Sequence, residues 1–534
     1  MPLHQFPAIA ALVPKVHLLT VAGLLLVVIA YVIYQVYFNP LAKYPGPIVA
    51  RFIKMEVLHR TLSRSSGDVH LHILRCHLQY GPIVRYGPNV LLFNSVEGLK
   101  DIYVHSKNII KDDCYEVLHI GARSILTATD PKDHGRRAKA LRPAFTSAAI
   151  RKVEPQIHEH AIRLLTALHV ASGAPENEPW GRPLLFSDWC SYATLDVITD
   201  LVFGRSSDLL VQPGRRHVVT DIEGMLRHAA FLMHAPLALL GRLDKWLFRD
   251  EVRGTRRYRE LVKRMMREAG PNEVYSELAG SRGQDCRSAS LDAEICSEVA
   301  LLVVAGSDTI SAVLCAVFFY LATYRTAYDR LRSEIRGAFH SLHEIRSGPV
   351  LQSCTYLDAC LKEAMRISPG VSSALYRKVT KGGAVIAGQR VPAGCSVATG
   401  VYSLHHDPRY FLRPGVFVPE RWRPGDKGEG AGEGESGGVT VAGGSGGASA
   451  YVPFSLGSRA CLGRALALTE LRILTAAIVW RFDFRFPPSD DASIGGGHPL
   501  GREGRTSPVE FQLRDYIVSH KKGPVLQLRP RRLS

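Results

Sequence analysis

Cys461 sits in a run of mostly small residues, Phe454-Ser455-Leu456-Gly457-Ser458-Arg459-Ala460-Cys461-Leu462-Gly463, with an arginine two positions before it and a glycine two after. The stretch that follows places Leu468, Leu471, Leu474 and Ile478 on one helical stripe. A cysteine presented from a tight loop at a helix N-terminus has a stabilised thiolate, because loop N–H groups and the positive end of the helix dipole both favour negative sulfur. Such a thiolate can ligate a metal. A buried free thiol is the bland alternative. It suits the other nine cysteines, which form no Cys-x-x-Cys pair and whose scatter fits a reducing compartment.

A second group, Ala305-Gly306-Ser307-Asp308-Thr309, lies in the longest helical signal of the chain, from about Ser290 to Tyr324. Ser290 is a candidate N-cap, with Asp292 and Glu294 in the first turn. At ~1.5 Å per residue this helix spans about 50 Å, the width of a domain. Gly306 costs it about 1 kcal/mol. Small residues one turn before a threonine make a notch for a small ligand, and Thr309 can back-bond to the Ala305 carbonyl. A kinked core helix would show the same pattern. A second membrane span is disfavoured by Asp308 in the middle.

The pattern Phe-x-x-Gly-x-Arg-x-Cys-x-Gly resembles the haem-binding signature of the cytochrome P-450 family at every defining position. Residues 305–309 match that family's oxygen-binding motif. The resemblance implies a mainly α fold with a smaller β-rich region, behind a single N-terminal transmembrane helix. It implies haem b as cofactor and Cys461 as axial ligand, pushing electron density onto the iron in favour of O–O cleavage. Phe454, Arg459, Gly463, Ala305 and Gly306 would line the haem, and Thr309 and Asp308 would deliver protons. His134, Arg377 and either Arg137 or Arg136 would meet the propionates. Ala138 stands where the family has a basic residue, so this chain departs from pattern there. Glu363 and Arg366, an i,i+3 pair, would join Arg421 of Phe417-Val418-Pro419-Glu420-Arg421-Trp422 in a structural brace.

Other elements must hold these groups. Leu18 to Phe38 carries no charge and is long enough to cross a bilayer. A cleaved signal peptide competes, but the run continues into Tyr31, Tyr34, Tyr37 and Phe38, as an interfacial belt does. Lys15 precedes the span, whereas Lys43, Arg51, Lys54, Arg60 and Arg64 follow it. The positive-inside rule then places residues 1–17 in the lumen and the catalytic domain, 51–534, in the cytoplasm, on the endoplasmic reticulum membrane. Residues 39–50 form a proline-rich, extended hinge that resembles those of microsomal P-450s. About Tyr80 to Phe93 reads as two strands, and His134 to Arg142 as a basic helix whose solvated face is the plain alternative to a reductase surface. His405-His406-Asp407-Pro408 could suggest a metal site, but adjacent histidines point to different sides of a strand, so a solvated or hydrogen-bonded pair is expected. Residues 425–450 form a Gly/Glu/Ser-rich insert expected to be disordered, 487–507 a loop, and Tyr516 to Arg529 a terminal hairpin.

The chain has 534 residues and a formal charge of +17, spread without a basic-aromatic run, so a membrane surface or an acidic protein fits better than nucleic acid. No Gly-rich dinucleotide fingerprint follows a strand, so NADPH would act through a separate cytochrome P-450 reductase, with cytochrome b5 as a further partner. The expectation is a monooxygenase of lipophilic small molecules, resembling those of fungal polyketide or terpenoid metabolism. A thiolate-haem isomerase or dehydratase, and a non-catalytic haem-binding protein, are the alternatives.

Overall fold

The computed structural model describes residues 6–62, 67–105, 107–119, 121–173, 180–235, 243–269, 289–423, 446–501 and 504–531. An N-terminal helix, Phe6–Ile33, ends in a π-helical turn, Tyr34–Phe38. Within it, His17–Phe38 is apolar enough to span a bilayer and only 6% of it is buried. The other apolar helix of that length, Ala293–Thr323, is 72% buried, which marks it as the core of the domain and not a second span.

That core helix runs from Ala289 to Thr323. Every residue from Ile310 to Leu321 is buried, as the absence of a polar face from Val313 to Leu321 requires. Helices Phe186–Phe203 and Arg464–Arg481 pack against it in one apolar cluster with Thr355–Ile367. Gly306 makes the first contact close. A Cβ there would lie 2.7 Å from the Ile198 side chain. The glycine therefore also serves helix packing, while Ala305 beside it is exposed.

The β-rich part is small. Five strands order as Ile83–Gly87, Val90–Phe93, Ser396–Ala398, Arg377–Val379 and Ile109–Lys111. The first two are the pair expected near Tyr80 to Phe93, with Ile83 opposite Phe93. At the C-terminus the expected hairpin is displaced. Leu513–Tyr516 pairs with Val518–Lys521, whereas Val525–Pro530 leaves to join Phe482–Arg485 and Leu184–Leu185. The break is at Lys522-Gly523-Pro524, where Gly523 has φ +94°. His405 and His406 sit at a helix end and not on a strand, and both are buried. His405 accepts from the Val452 N–H at 2.9 Å. Most of the glycine-rich insert, 424–445, lies outside the described residues. Its last five form a short helix, Gly446–Ala450, with Ala450 buried, so this end is ordered by packing. The segment 487–507 folds back on itself, with Gly497 donating to the Ser507 carbonyl at 2.9 Å.

Candidate active site

The cysteine loop is held by its own backbone. Cys461 N–H donates to the Phe454 carbonyl at 3.0 Å. Ser455 and Gly457 both adopt left-handed φ, +59° and +72°. Only glycine fits at 457, since a Cβ would approach the Tyr103 carbonyl oxygen to 2.0 Å. The turn delivers Cys461 three residues before the helix Arg464–Arg481. Of the nine cysteines described, Cys461 is the only exposed one. It is accessible yet ringed by protein, so burial pushes its thiol up, against the Gly463 backbone and the Arg464 charge, which both favour the thiolate.

The cysteine loop and the core helix contribute to one apolar cluster. Leu462 packs in one apolar cluster with Val299, Val303 and Val304. On that helix Ala305 is exposed and Leu301, Leu302, Gly306 and Thr309 are half-buried, whereas every residue from Ile310 to Ala322 is buried. Thr309 Oγ1 donates to the Ala305 carbonyl at 2.8 Å, the back-bond its sequence position predicts. The Pro369–Gly370 turn passes over Thr309 so closely that a Cβ on Gly370 would lie 3.1 Å from Thr309 Cβ. Ser519 of the C-terminal hairpin fixes this turn, its Oγ donating to the Pro369 carbonyl at 2.6 Å.

Asp308 is buried, unlike its neighbours Ala305 and Thr309. Its carboxylate pairs with Lys521 at 2.8 Å and borders a small crevice lined by Ser191, Ser307, Ser311, Leu195, Val219 and Ile222. Lys521 has no signature in the sequence, because its partner comes from a distant helix.

Four basic groups form a second feature. Arg459 donates to the carbonyls of Ala128 and Thr129, at 2.5 and 3.2 Å, and Arg377 to that of Tyr376 at 2.9 Å. Lys111 stands directly opposite Arg377 in the antiparallel pair, like charge facing like charge. None of these three cations has a carboxylate partner among the described residues. Burial, and then Arg377, bring Arg459 down to about 10. Burial with Arg377 and Arg459 lowers Lys111 strongly. His134 falls to about 4, through burial and then Arg459 and Lys111. A buried cationic corner of this kind is stable only with anionic charge to face. Together with an accessible thiol in a tight loop, it fits a haem, whose iron takes a thiolate and whose propionates take cations. Lys111 went unrecognised because only the pairing of two strands far apart in sequence brings it there.

Arg137 does not join the corner. Its guanidinium is taken by Glu298 at 2.9 Å, Asp133 at 3.1 Å and Glu294 at 3.2 Å, which ties the helix Pro131–Leu141 to the core helix. Arg136 is likewise paired with Asp133 and Glu294. Two carboxylates from the core helix, invisible in the local pattern, have claimed both arginines. The brace forms as expected. Glu363 meets Arg366 and Arg421, each at 2.9 Å, with all three side chains 0% exposed. Trp422 Nε1 adds a donor at 2.9 Å.

The cytochrome P450 family model matches residues 45–495. The chain is 37% identical to the cytochrome P450 monooxygenase AKT7 of Alternaria alternata, covering 94% of this chain and 95% of that one. It is 34% identical to the cytochrome P450 monooxygenase poxM of Penicillium oxalicum, over 93% and 92%. It is 30% identical to the trichothecene C-15 hydroxylase of Fusarium sporotrichioides, over 86% and 90%. This chain belongs to the cytochrome P450 family. It is an oxidoreductase of the monooxygenase type, and the family's cofactor is haem.

Proposed function

We propose that this chain inserts one atom of O₂ into a lipophilic small molecule of fungal secondary metabolism, by hydroxylation, epoxidation or multistep oxidation, and reduces the other atom to water. The observation that carries the reading is the exposed Cys461, in a loop with two left-handed residues, whose neighbour Leu462 packs on the apolar cluster of the core helix that carries Ala305 and Thr309. The relative named as a hydroxylase supports the reaction type.

Cys461 would hold the haem iron, and His134, Arg377, Arg459 and Lys111 its propionates. Phe454, Gly463, Ala305 and Gly306 would border the ring. Bound there, haem supplies the oxygen chemistry, and the protein supplies position, electrostatics and protons. The Cys461 sulfur would ligate the iron as thiolate, the form that the Gly463 backbone and Arg464 both favour. Thr309 Oγ1, with its own hydrogen donated to the Ala305 carbonyl, offers its oxygen as an acceptor on the open helix face, where it would hold a proton-carrying water. Asp308 draws protons from the serine-lined crevice behind it, and Lys521 keeps its carboxylate aimed there. The Pro369–Gly370 turn shields Thr309 from bulk water.

Electrons come from NADPH through a separate cytochrome P-450 reductase, with cytochrome b5 as a second donor. The docking face is the exposed Lys132, Arg136, Lys139 and Arg142 of the basic helix. The helix His17–Phe38 anchors the chain in the endoplasmic reticulum membrane, with the catalytic domain cytoplasmic. The test is turnover by the full chain with reductase, NADPH and ¹⁸O₂ on extracts of a deletion strain. One labelled oxygen in an NADPH-dependent product is expected. Conversion without NADPH or without label would point to an isomerase or dehydratase instead.

A further inference from the structure

Gln35 is the only buried residue in the stretch His17–Phe38. It is a polar side chain in an apolar helix, and it has a partner in the catalytic domain. Arg85, 1% exposed, donates from Nη2 to Gln35 Oε1 at 2.7 Å and from Nη1 to the Gln35 carbonyl at 3.1 Å. A third bond goes to the Pro88 carbonyl at 3.0 Å. No carboxylate pairs with Arg85 among the described residues, so these carbonyl oxygens alone compensate a buried cation. Asn39 reinforces the contact from the other side, donating to Gln35 Oε1 at 2.9 Å.

The segment that follows is also tied down. Arg85 N–H donates to the Pro45 carbonyl at 2.8 Å, and a Cβ on Gly46 would lie 2.2 Å from the Arg85 carbonyl oxygen. Leu41 and Tyr44 are buried in the domain's own core. Arg51 donates to the Val36 carbonyl at 3.2 Å. A proline-rich stretch that reads as a hinge is therefore packed along the first strand of the sheet.

This packing brings a further turn back beside the helix. Tyr31 hydroxyl donates to the Phe52 carbonyl at 3.2 Å, with ring centroids 6.5 Å apart. Tyr31 precedes Phe38 by two turns, about 10 Å along the axis. The turn containing Phe52 thus lies against the helix wall, not beyond its end. There Ile48, Val49 and Ile53 are 77%, 45% and 45% exposed, flanked by Arg51 and Lys54. Exposed aliphatic side chains edged by cations suit the boundary between headgroups and acyl chains.

We propose that Gln35 and Arg85 lock the N-terminal helix to the catalytic domain as one rigid piece, and that this lock seats Ile48, Val49 and Ile53 in the lipid surface beside the helix. The proposal rests on the membrane-anchor reading above. The test uses full-length chain in phosphatidylcholine–phosphatidylserine vesicles. An environment-sensitive dye is placed through Ile48→Cys or Leu24→Cys, with the dye-treated parent chain as background. Lipids spin-labelled near the headgroup should quench position 48 and shield it from aqueous iodide. Arg85→Met and Gln35→Leu should each lower that quenching about twofold or more, and Gln35→Glu, which keeps an acceptor for Arg85, should restore it. Lipid quenching must persist at position 24 in every variant. Loss of quenching at position 24 in the parent chain would refute the anchor itself. Quenching at 24 with iodide access at 48 would refute the lipid seat. Quenching at 48 that ignores both lock variants would refute the lock.

Discussion

Lys521 Nζ lies 2.8 Å from Asp308 Oδ1, joining the C-terminal hairpin to the middle of the core helix. Burial alone would lower a lysine's pKa, but the Asp308 carboxylate outweighs it and Lys521 is held above its ordinary 10.5. A cation whose folded pKa is raised stabilises the fold fully below its unfolded value. That stability is lost as pH rises through the folded value. Lys521→Met should therefore cost about 3–5 kcal/mol by urea denaturation near neutrality, because Asp308 is left as a lone buried charge. It should also remove an alkaline loss of stability that the parent chain shows. The Asp308→Asn, Lys521→Met double variant should lose much less than the two singles added. Strict additivity would mean the pair is not coupled.

Thr309→Ala removes the hydroxyl that the Ala305 carbonyl directs over the open face. NADPH consumption should continue while peroxide release per NADPH rises. Product formation should fall about 10²-fold, the low end for a positioned group in proton transfer. Thr309→Ser should recover most of the coupling. Unchanged coupling in the alanine variant would take Thr309 out of proton delivery.

Cys461→Ser tests the ligand directly. The purified variant should lack the red-shifted Soret band of the ferrous CO complex. It should nonetheless unfold near the parent's urea midpoint when both are haem-free, since the loop is held by backbone bonds and not by the thiol. A retained band would mean that another group ligates the iron.

The parts of this site legible in the sequence are those built from neighbours in the chain. Phe454 to Gly463 and Ala305 to Thr309 each carry their own geometry, so loop, helix and back-bond follow from spacing alone. Glu363 and Arg366 are one turn apart and equally legible. The parts that were not legible depend on pairing across the fold. Lys111 joins the cationic corner only because its strand aligns it with Arg377. Arg137 is withdrawn from the site by Glu298, which its own helix does not announce. Gly306 reads in one dimension as part of a ligand notch, and only in three does its close contact with Ile198 show. The proline-rich stretch reads as an extended hinge, yet it turns over residues 40–43 and then packs on the first strand, where the Arg85 N–H donates to the Pro45 carbonyl.

His134 reports on the cationic corner. Burial and then Arg459, Lys111, Arg142 and Arg377 bring it from 6.5 to about 4. The folded state then binds fewer protons than the unfolded state between those values, so stability falls as pH drops below 6.5 and levels off near 4. The loss is about 3 kcal/mol at most, from ~1.4 kcal/mol per unit. Haem-free His134→Gln should show a flatter acid limb by urea denaturation than the parent. Lys111→Met should flatten it in part. Bound propionates would raise His134 again, so haem loading should also shrink the slope. An acid limb identical in parent and His134→Gln would show that His134 does not sense these cations.

Glu363 carries the heaviest structural demand. It is fully buried, and burial alone would raise its pKa. Arg366 and Arg421, with hydrogen bonds from Arg366 and the Val418 N–H, reverse that and hold the carboxylate ionised below its ordinary 4.5. The anion receives Arg366, Arg421, Trp422 and Val418, while Arg366 also donates to the carbonyls of His405, Pro414 and Val416. Glu363→Gln keeps the shape but leaves two buried guanidiniums without a counter-charge, a cost of about 3–5 kcal/mol. Arg421→Met should cost less, because Glu363 retains Arg366 and a cation leaves with its own desolvation penalty. A carboxylate with depressed pKa stabilises above its unfolded value and loses that contribution as pH falls through the folded one. The parent chain should therefore lose stability below about pH 4.5 in a way that Glu363→Gln does not. The expected outcome is little soluble, haem-loaded Glu363→Gln at ordinary growth temperature, with more recovered on cooling. Parent-like yield and parent-like urea midpoint would mean that the brace holds through packing and not through charge.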